Sequence, residues 1–344
     1  MQSVTFLAVA RPPALGVALV RIRRFRTALC MAPLLLAAAV GACGGDDSGW
    51  GRRFGGGGRK SIGVSLPSRA MPFYQEIEAG MRDAARRARY ELVVTDANLD
   101  VATQRTLIEG LLQQRVDAVV IAPTDTLAVV PAVARANAAR VPVFSVNLRP
   151  SGGQVISHVQ SDHVGMGRVA AEYLAAFLDG RGEVMVVSRS GVPWHVEREQ
   201  GFRTAMRAHP RIRIVDSVDG DGDRARALAL LEPLLRARRE TDGIFSVDDA
   251  GTLGAYDAAI KRFRADLVIV GCDPSAETIE HIRSDGALKA SVVQQPRRMG
   301  EQLIQLMVRH FDDEPVAPRV LIPVRLVNID SVRTTSRPAA GRSR

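Results

Sequence analysis

From Ser61 to Val293 the chain alternates short apolar runs with stretches of helical period, and that alternation is what most limits its fold. Strands are expected at Ser61–Leu66, Glu91–Thr95, Asp117–Ala122 and Pro142–Val146. A second set is expected at Glu183–Ser188, Ile212–Ser217, Gly243–Val247, Leu267–Val270 and Ala290–Val293. Helices are expected near residues 72–90, 100–115, 127–139, 164–178, 196–209, 224–238, 252–262 and 276–284. In the second of these, Leu107, Ile108, Leu111 and Leu112 recur on one helical face. Near-continuous apolar strands are what a parallel sheet covered on both faces requires. Strand and helix in alternation imply βαβ units and doubly wound sheets. Roughly ten strands exceed one ordinary open sheet, so two similar α/β lobes are expected.

Charge removes one class of function. The chain of 344 residues carries a net +9, but residues 1–43 hold +5, residues 44–60 hold +2 and residues 331–344 hold +4. The body from 61 to 330 is therefore at −2, without the basic footprint that a nucleic-acid backbone demands. No nucleic-acid partner is expected.

The N-terminus reads as an export signal. Arg21, Arg23, Arg24 and Arg26 precede an apolar run from Thr27 to Val40, followed by Gly41-Ala42-Cys43. The run is short for a membrane span, which needs ~20 residues. Val40-Gly41-Ala42-Cys43 resembles a lipobox, so residues 1–43 are expected to be a signal peptide and Cys43 the lipidated first residue of the mature chain. The alternative is an ordinary signal cut near Ala42, with Cys43 incidental. Residues 44–60, rich in Gly and polar groups, are expected to form a flexible tether. Past Cys43 only Cys272 remains, in an apolar strand, so no intrachain disulfide is expected.

Ligands of doubly wound sheets bind at the carboxyl ends of the strands. The residues there are distinctive: Phe73 and Tyr74 after the first strand, Asn147 and Arg149 after Val143–Val146, Trp194 and Arg198 after Glu183–Ser188. Asp248 and Asp249, Asp273 and Gln294 follow later strands. Asp, Asn, Gln and Arg hold sugar hydroxyls through planar hydrogen bonds, and aromatic faces pack on the C–H faces of a sugar ring. Each also has a structural reading: Asp248, Asp249 and Asp273 as helix caps, Phe73 and Tyr74 as core, Arg198 as an ion-pair partner. Their joint placement is the signal.

At this point residues 61–330 resemble the periplasmic sugar-binding proteins of the ribose-binding type, which share their fold with the effector domain of lactose-repressor-type regulators. The resemblance rests on Met71-Pro72-Phe73-Tyr74, Ile121-Ala122-Pro123-Thr124-Asp125, Val155-Ile156-Ser157-His158, Ser161-Asp162 and Glu197-Arg198-Glu199-Gln200-Gly201-Phe202. Leu253-Gly254-Ala255, Val270-Gly271-Cys272-Asp273 and Gln294-Gln295-Pro296 complete it. It implies a periplasmic-binding-protein type I fold whose lobes, residues 61–161 plus 295–323 and 162–294 plus 324–330, are joined by a three-segment hinge near Ser161, Gln294 and Pro323. It implies that Phe73 and Tyr74 sandwich a sugar, and that Asn147, Arg198, Asp248, Asp273 and Gln294 bind its hydroxyls. Met71, Ala122 and Leu148 depart from the family pattern, and an aromatic is missing at Asp221-Gly222-Asp223 unless Trp194 supplies it. The departures point away from ribose as the sole expected ligand, so a different pentose, a hexose, a cyclitol or a sugar-like signal is expected equally.

The function expected is that of a monomeric, lipid-anchored protein on the outer face of the cell envelope or in the periplasm. It would capture a sugar between its lobes and pass it to the permease of an ABC importer; the alternative is a sensing subunit of the same fold. A repressor would need a helix-turn-helix before the first strand, where an apolar segment and a Gly tether stand instead. A nicotinamide enzyme would need Gly-x-Gly-x-x-Gly after that strand, and the six His show no metal spacing. Neither cofactor, metal nor catalytic residue is expected. Residues 331–344, rich in Arg and Ser, are expected to be disordered.

Overall fold

The structure, a computed structural model, describes residues 59–335. Its first half runs β1 (Ser61–Leu66), α1 (Pro72–Ala88), β2 (Glu91–Asp96), α2 (Val101–Gln113), β3 (Ala118–Ile121), α3 (Val130–Ala138), β4 (Val143–Val146) and β5 (Ser157–Ser161). There follow α4 (His163–Phe177), β6 (Arg181–Ser188), α5 (Pro193–Met206), β7 (Arg211–Asp219), α6 (Arg224–Ala237) and β8 (Thr241–Ser246). Next come α7 (Asp249–Lys261), β9 (Val268–Cys272), α8 (Ala276–Arg283) and β10 (Leu288–Val293). The chain ends on α9 (Pro296–Phe311), β11 (Arg319–Ile322), β12 (Arg325–Asn328) and α10 (Ile329–Thr335).

These strands form two six-stranded sheets of matching order, β11-β5-β4-β3-β1-β2 and β12-β10-β9-β8-β6-β7. All pairings are parallel except β10 with β12. The fold is thus the expected pair of doubly wound α/β lobes. The chain passes from one lobe to the other after β5, after β10 and between β11 and β12. Helix α9 returns to the first core, whereas α4 packs in the second.

Local chemistry explains the helix starts. Pro72, Pro193 and Pro296 open α1, α5 and α9, where a missing N–H costs nothing. Asp100, Asp162 and Asp223 cap α2, α4 and α6, each accepting from a backbone N–H three residues on. The two lobes also repeat a close helix crossing. A Cβ on Gly80 would stand 1.9 Å from the Arg297 carbonyl oxygen, and one on Gly201 2.0 Å from that of Val164. Only glycine lets α1 meet α9, and α5 meet α4, at that distance.

The structure adds β5, β11, β12 and α9 to the elements read from sequence. Helix α9 carries a plain apolar stripe, with Met299, Leu303, Ile304, Leu306 and Met307 buried. The added strands are short, four or five residues each, and β5 is polar. In β5, Ser157, His158 and Ser161 are buried because each side chain is hydrogen-bonded: to the Ala317 carbonyl, the Ser145 hydroxyl and the Gln294 amide oxygen. Helix α5 begins at Pro193 rather than Val196, placing Trp194 in its first turn.

One expectation is corrected outright. Disorder from residue 331 does not hold for residues 331–335, which belong to α10. Val332 is buried in the second lobe's core, and Asn328 and Ser331 exchange hydrogen bonds at the start of that turn. Residues 336–344 lie outside the described part, as do the expected signal peptide, Cys43 and the tether up to residue 58.

Candidate functional site

Strand ends from the two sheets supply the polar groups. Asn147 ends β4 and Asp273 ends β9, both with left-handed backbone, at φ 65° and 56°. Asn and Asp tolerate that region better than most residues, so the turn and the polar side chain are met by one residue. Asn147 Nδ2 donates to the Tyr74 hydroxyl at 3.0 Å. The Tyr74 ring sits in the first core, 7% exposed, with Phe73 half-buried edge-on against it at 5.4 Å between centroids. Burial pushes the Tyr74 hydroxyl pKa up, partly offset by its bond to Asn147.

The second lobe carries a charged group. Arg198 is fully buried on α5, one turn before Phe202, which stacks on Phe245. Its Nη1 donates to the Val247 carbonyl at 2.8 Å and its Nη2 to Asp273 Oδ2 at 2.6 Å, while Nε has no partner. Gln294 Nε2 donates to both Asp273 oxygens, at 3.2 and 3.1 Å, and its Oε1 accepts from the Ser161 hydroxyl at 2.7 Å. A hydrogen-bonded row therefore runs from Arg198 through Asp273 and Gln294 to Ser161, across two of the three chain crossings.

Between the lobes lies a cavity of about 400 Å³. Asn147, Leu148, Arg149 and Gln160 line it from the first lobe, and His163, Trp194 and Glu197 from the second. Arg149 is exposed there, and Trp194 is half-buried beside His195. His163 and His195 are both buried, and in each Nδ1 is unpartnered. Burial, with the nearby Arg198 charge added to it, lowers each pKa to about 3, so both are neutral imidazoles at pH 7.

Asp248 has two roles available. Its Oδ1 caps α7 through the Gly251 N–H at 2.8 Å, as its structural reading anticipated. Its Oδ2 is buried without a hydrogen bond, 3.8 Å from Arg189 Nη1, and burial raises the carboxyl pKa. Asp249 turns away to hold the Ser275 N–H and the Thr278 hydroxyl. The structure thus gathers the expected residues into three groups: Phe73, Tyr74 and Asn147; Arg198, Asp273 and Gln294; and Arg149 with Trp194 at the cavity. Asp248 stands with Arg189, which the sequence reading missed along with Gln160, His163 and Glu197. Arg189 was findable, being the first charged residue after β6.

This geometry coincides with a match to a known family: residues 62–315 fit the one described as periplasmic binding protein domain. The chain belongs to the periplasmic binding protein family. Among its relatives is the ribose import binding protein of Bacillus subtilis, 30% identical over 83% of this chain and 93% of that protein. The ribose import binding protein of Escherichia coli is 29% identical over 78% of this chain and 90% of its own. Among solved structures, a periplasmic ribose ABC transporter protein from Conexibacter woesei shares the fold with a TM-score of 0.73 and 24% identity, covering 82% of this periplasmic binding protein and 96% of that chain. Among the described residues, no helix is long and apolar enough to cross a membrane.

Proposed function

We propose that this protein binds a pentose, a hexose or a related polyol between its lobes and delivers it to an ABC importer, without chemical conversion. The observation that carries the reading is the row Arg198–Asp273–Gln294–Ser161. It is a preorganised set of planar hydrogen-bonding groups that spans two chain crossings, while Asn147, held by Tyr74, ends the matching strand of the first lobe. Such a set recognises hydroxyls on both lobes at once, so a ligand stabilises the arrangement in which both walls reach it. Phe73 and Trp194 offer aromatic faces, and Tyr74 orients Asn147. Relatives named for ribose, D-apiose, D-allose and xylitol support the polyol class and the role in uptake. In the same reading Cys43 carries the lipid that holds a monomer at the outer face of a membrane, residues 44–60 are its tether, and the lobe surfaces dock on the permease.

The test is thermal melting of the purified protein with D-ribose, D-allose, D-apiose, xylitol and myo-inositol. A ligand at a hundred times its dissociation constant stabilises the folded form by about 2.7 kcal/mol. An upward shift with one of them, lost in Asp273→Ala, is expected; a flat response to all five in cooperatively melting, ligand-free protein overturns the reading. Incorporation of labelled fatty acid into the wild type and not into Cys43→Ala checks the anchor separately.

A further inference from the structure

We infer that Arg189 is a ligand-binding residue of the cleft, and that Arg189 and Asp248 together hold one hydroxyl of the bound polyol, Arg189 donating to it and Asp248 accepting from it. This rests on the sugar-binding reading above and adds a selectivity element to it.

The two residues stand side by side by construction. Strands β6 and β8 are paired with Val187 opposite Ser246, so Arg189 and Asp248 lie two residues beyond that register at neighbouring carboxyl ends. Yet they do not close on each other. The Nη1–Oδ2 separation of 3.8 Å exceeds the 2.7–3.2 Å of an N–H···O bond. Asp248 Oδ2 and Arg189 Nε are each buried and unpartnered. A pair serving stability alone gains most by closing, because a buried unsatisfied donor or acceptor is costly. An O–H group both accepts and donates, so one ligand hydroxyl satisfies both sides of the gap.

Two further features hold Arg189 in this place. Gly222 sits against the guanidinium: a Cβ there, at φ +69°, would stand 2.5 Å from Arg189 Cζ and Nη1. The backbone just past Arg189 is pinned as well, since Ser190 donates its N–H to Asp219 Oδ2 at 3.2 Å, while Asp219 Oδ1 accepts the Asp221 N–H at 2.9 Å. One carboxylate thereby ties the segment carrying Arg189 to the turn that makes room for it. The pair is neutral overall, which favours a hydroxyl over an anionic group. A sugar lacking the hydroxyl leaves Asp248 Oδ2 buried and unpaired, an arrangement that discriminates strongly between close analogues.

The experiment is isothermal titration of the full chain with D-ribose, D-allose, D-apiose and xylitol, and then with the monodeoxy analogues of whichever binds tightest. Arg189→Ala is expected to weaken binding of that sugar by about tenfold or more, as for loss of a charge-assisted hydrogen bond. One deoxy analogue is expected to bind the wild type and Arg189→Ala equally. Gly222→Ala, which displaces the guanidinium without removing it, is expected to weaken binding in the same way; it carries the test if Arg189→Ala does not melt cooperatively. Unchanged affinity in both variants, alongside loss in Asp273→Asn, overturns the inference and leaves the sugar reading standing. A wild type that binds none of the probes overturns both.

Discussion

Asn147 and Asp273 occupy the same place in the two lobes. Each ends the third strand from its sheet's β11 or β12 edge in left-handed backbone. Each donates its amide N–H to the next strand over, to the Val159 and Val292 carbonyls, both at 2.9 Å. Each also meets a residue from the helix that follows β1 or its counterpart β6, Tyr74 on α1 and Arg198 on α5. The candidate site is a fold repeat whose two copies carry different chemistry, an amide on a phenol and a carboxylate on a guanidinium.

The backbone and the side chain at Asn147 make separable contributions. Asn147→Gly keeps the left-handed turn and removes the bond to Tyr74, so melting should change by less than about 1 kcal/mol while ligand affinity falls. Asn147→Val adds left-handed strain of about 1–2 kcal/mol and should lower both. Urea melts and titrations of the two variants check this.

Arg198 is buried with its partner Asp273 35% exposed. Arg198→Met removes the bonds to Val247 and Asp273 but keeps most of the volume. Ligand binding should be abolished, with a stability change of at most about 2 kcal/mol, because an apolar isostere removes the cost of burying the charge as well as the pair. Arg198→Ala should cost about 2–4 kcal/mol, since it adds a cavity to the lost bonds. Denaturant midpoints for the two variants decide the comparison.

The helix crossing beneath Arg198 is a further point of vulnerability. A Cβ on Gly167 would lie 1.8 Å from the Arg198 carbonyl oxygen. Gly167→Ala must push α4 from α5, with an overpacking cost of about 1–3 kcal/mol or more. Because α5 carries Arg198, affinity should fall with stability, whereas Gly110→Ala, inside α2 where a Cβ meets nothing within 4 Å, should leave affinity unchanged and raise stability by about 0.5–1 kcal/mol. Parallel melts and titrations of the two alanine variants test this.

Stability should fall in acid through histidines. Burial lowers the pKa of His158 to about 4, and of His163 and His195 to about 3, from 6.5. Between pH 6.5 and those values the unfolded chain binds protons that the folded chain does not. Their contribution is complete above pH 6.5 and is lost as pH falls, by up to about 1.4 kcal/mol per pH unit for each. Asp248, with a raised pKa, acts in the opposite sense, and its contribution is lost as pH rises. Urea midpoints from pH 7 to 4.5 should decline, and His163→Gln should decline less steeply.

Sequence alone determined the architecture and most of the candidate site. Strand–helix alternation specified two doubly wound lobes, and such sheets bind ligands at strand ends, so Asn147, Asp273 and Gln294 could be named from their positions. Tertiary structure decided what each position does. Tyr74 follows the same strand as Phe73, but only packing shows its ring in the core and its hydroxyl on Asn147. Strand β5 and residues 331–335 escaped detection because hydrogen bonds and one buried Val332, rather than an apolar pattern, hold them in place. Arg189 could be found as the first charged residue after β6, but nothing in Ser188-Arg189-Ser190 names its partner. The place of its guanidinium depends on the space at Gly222, thirty-three residues away, and on a carboxylate at the end of another strand. Position along a strand is encoded locally, but the partner that a polar group meets is set by contacts between distant segments.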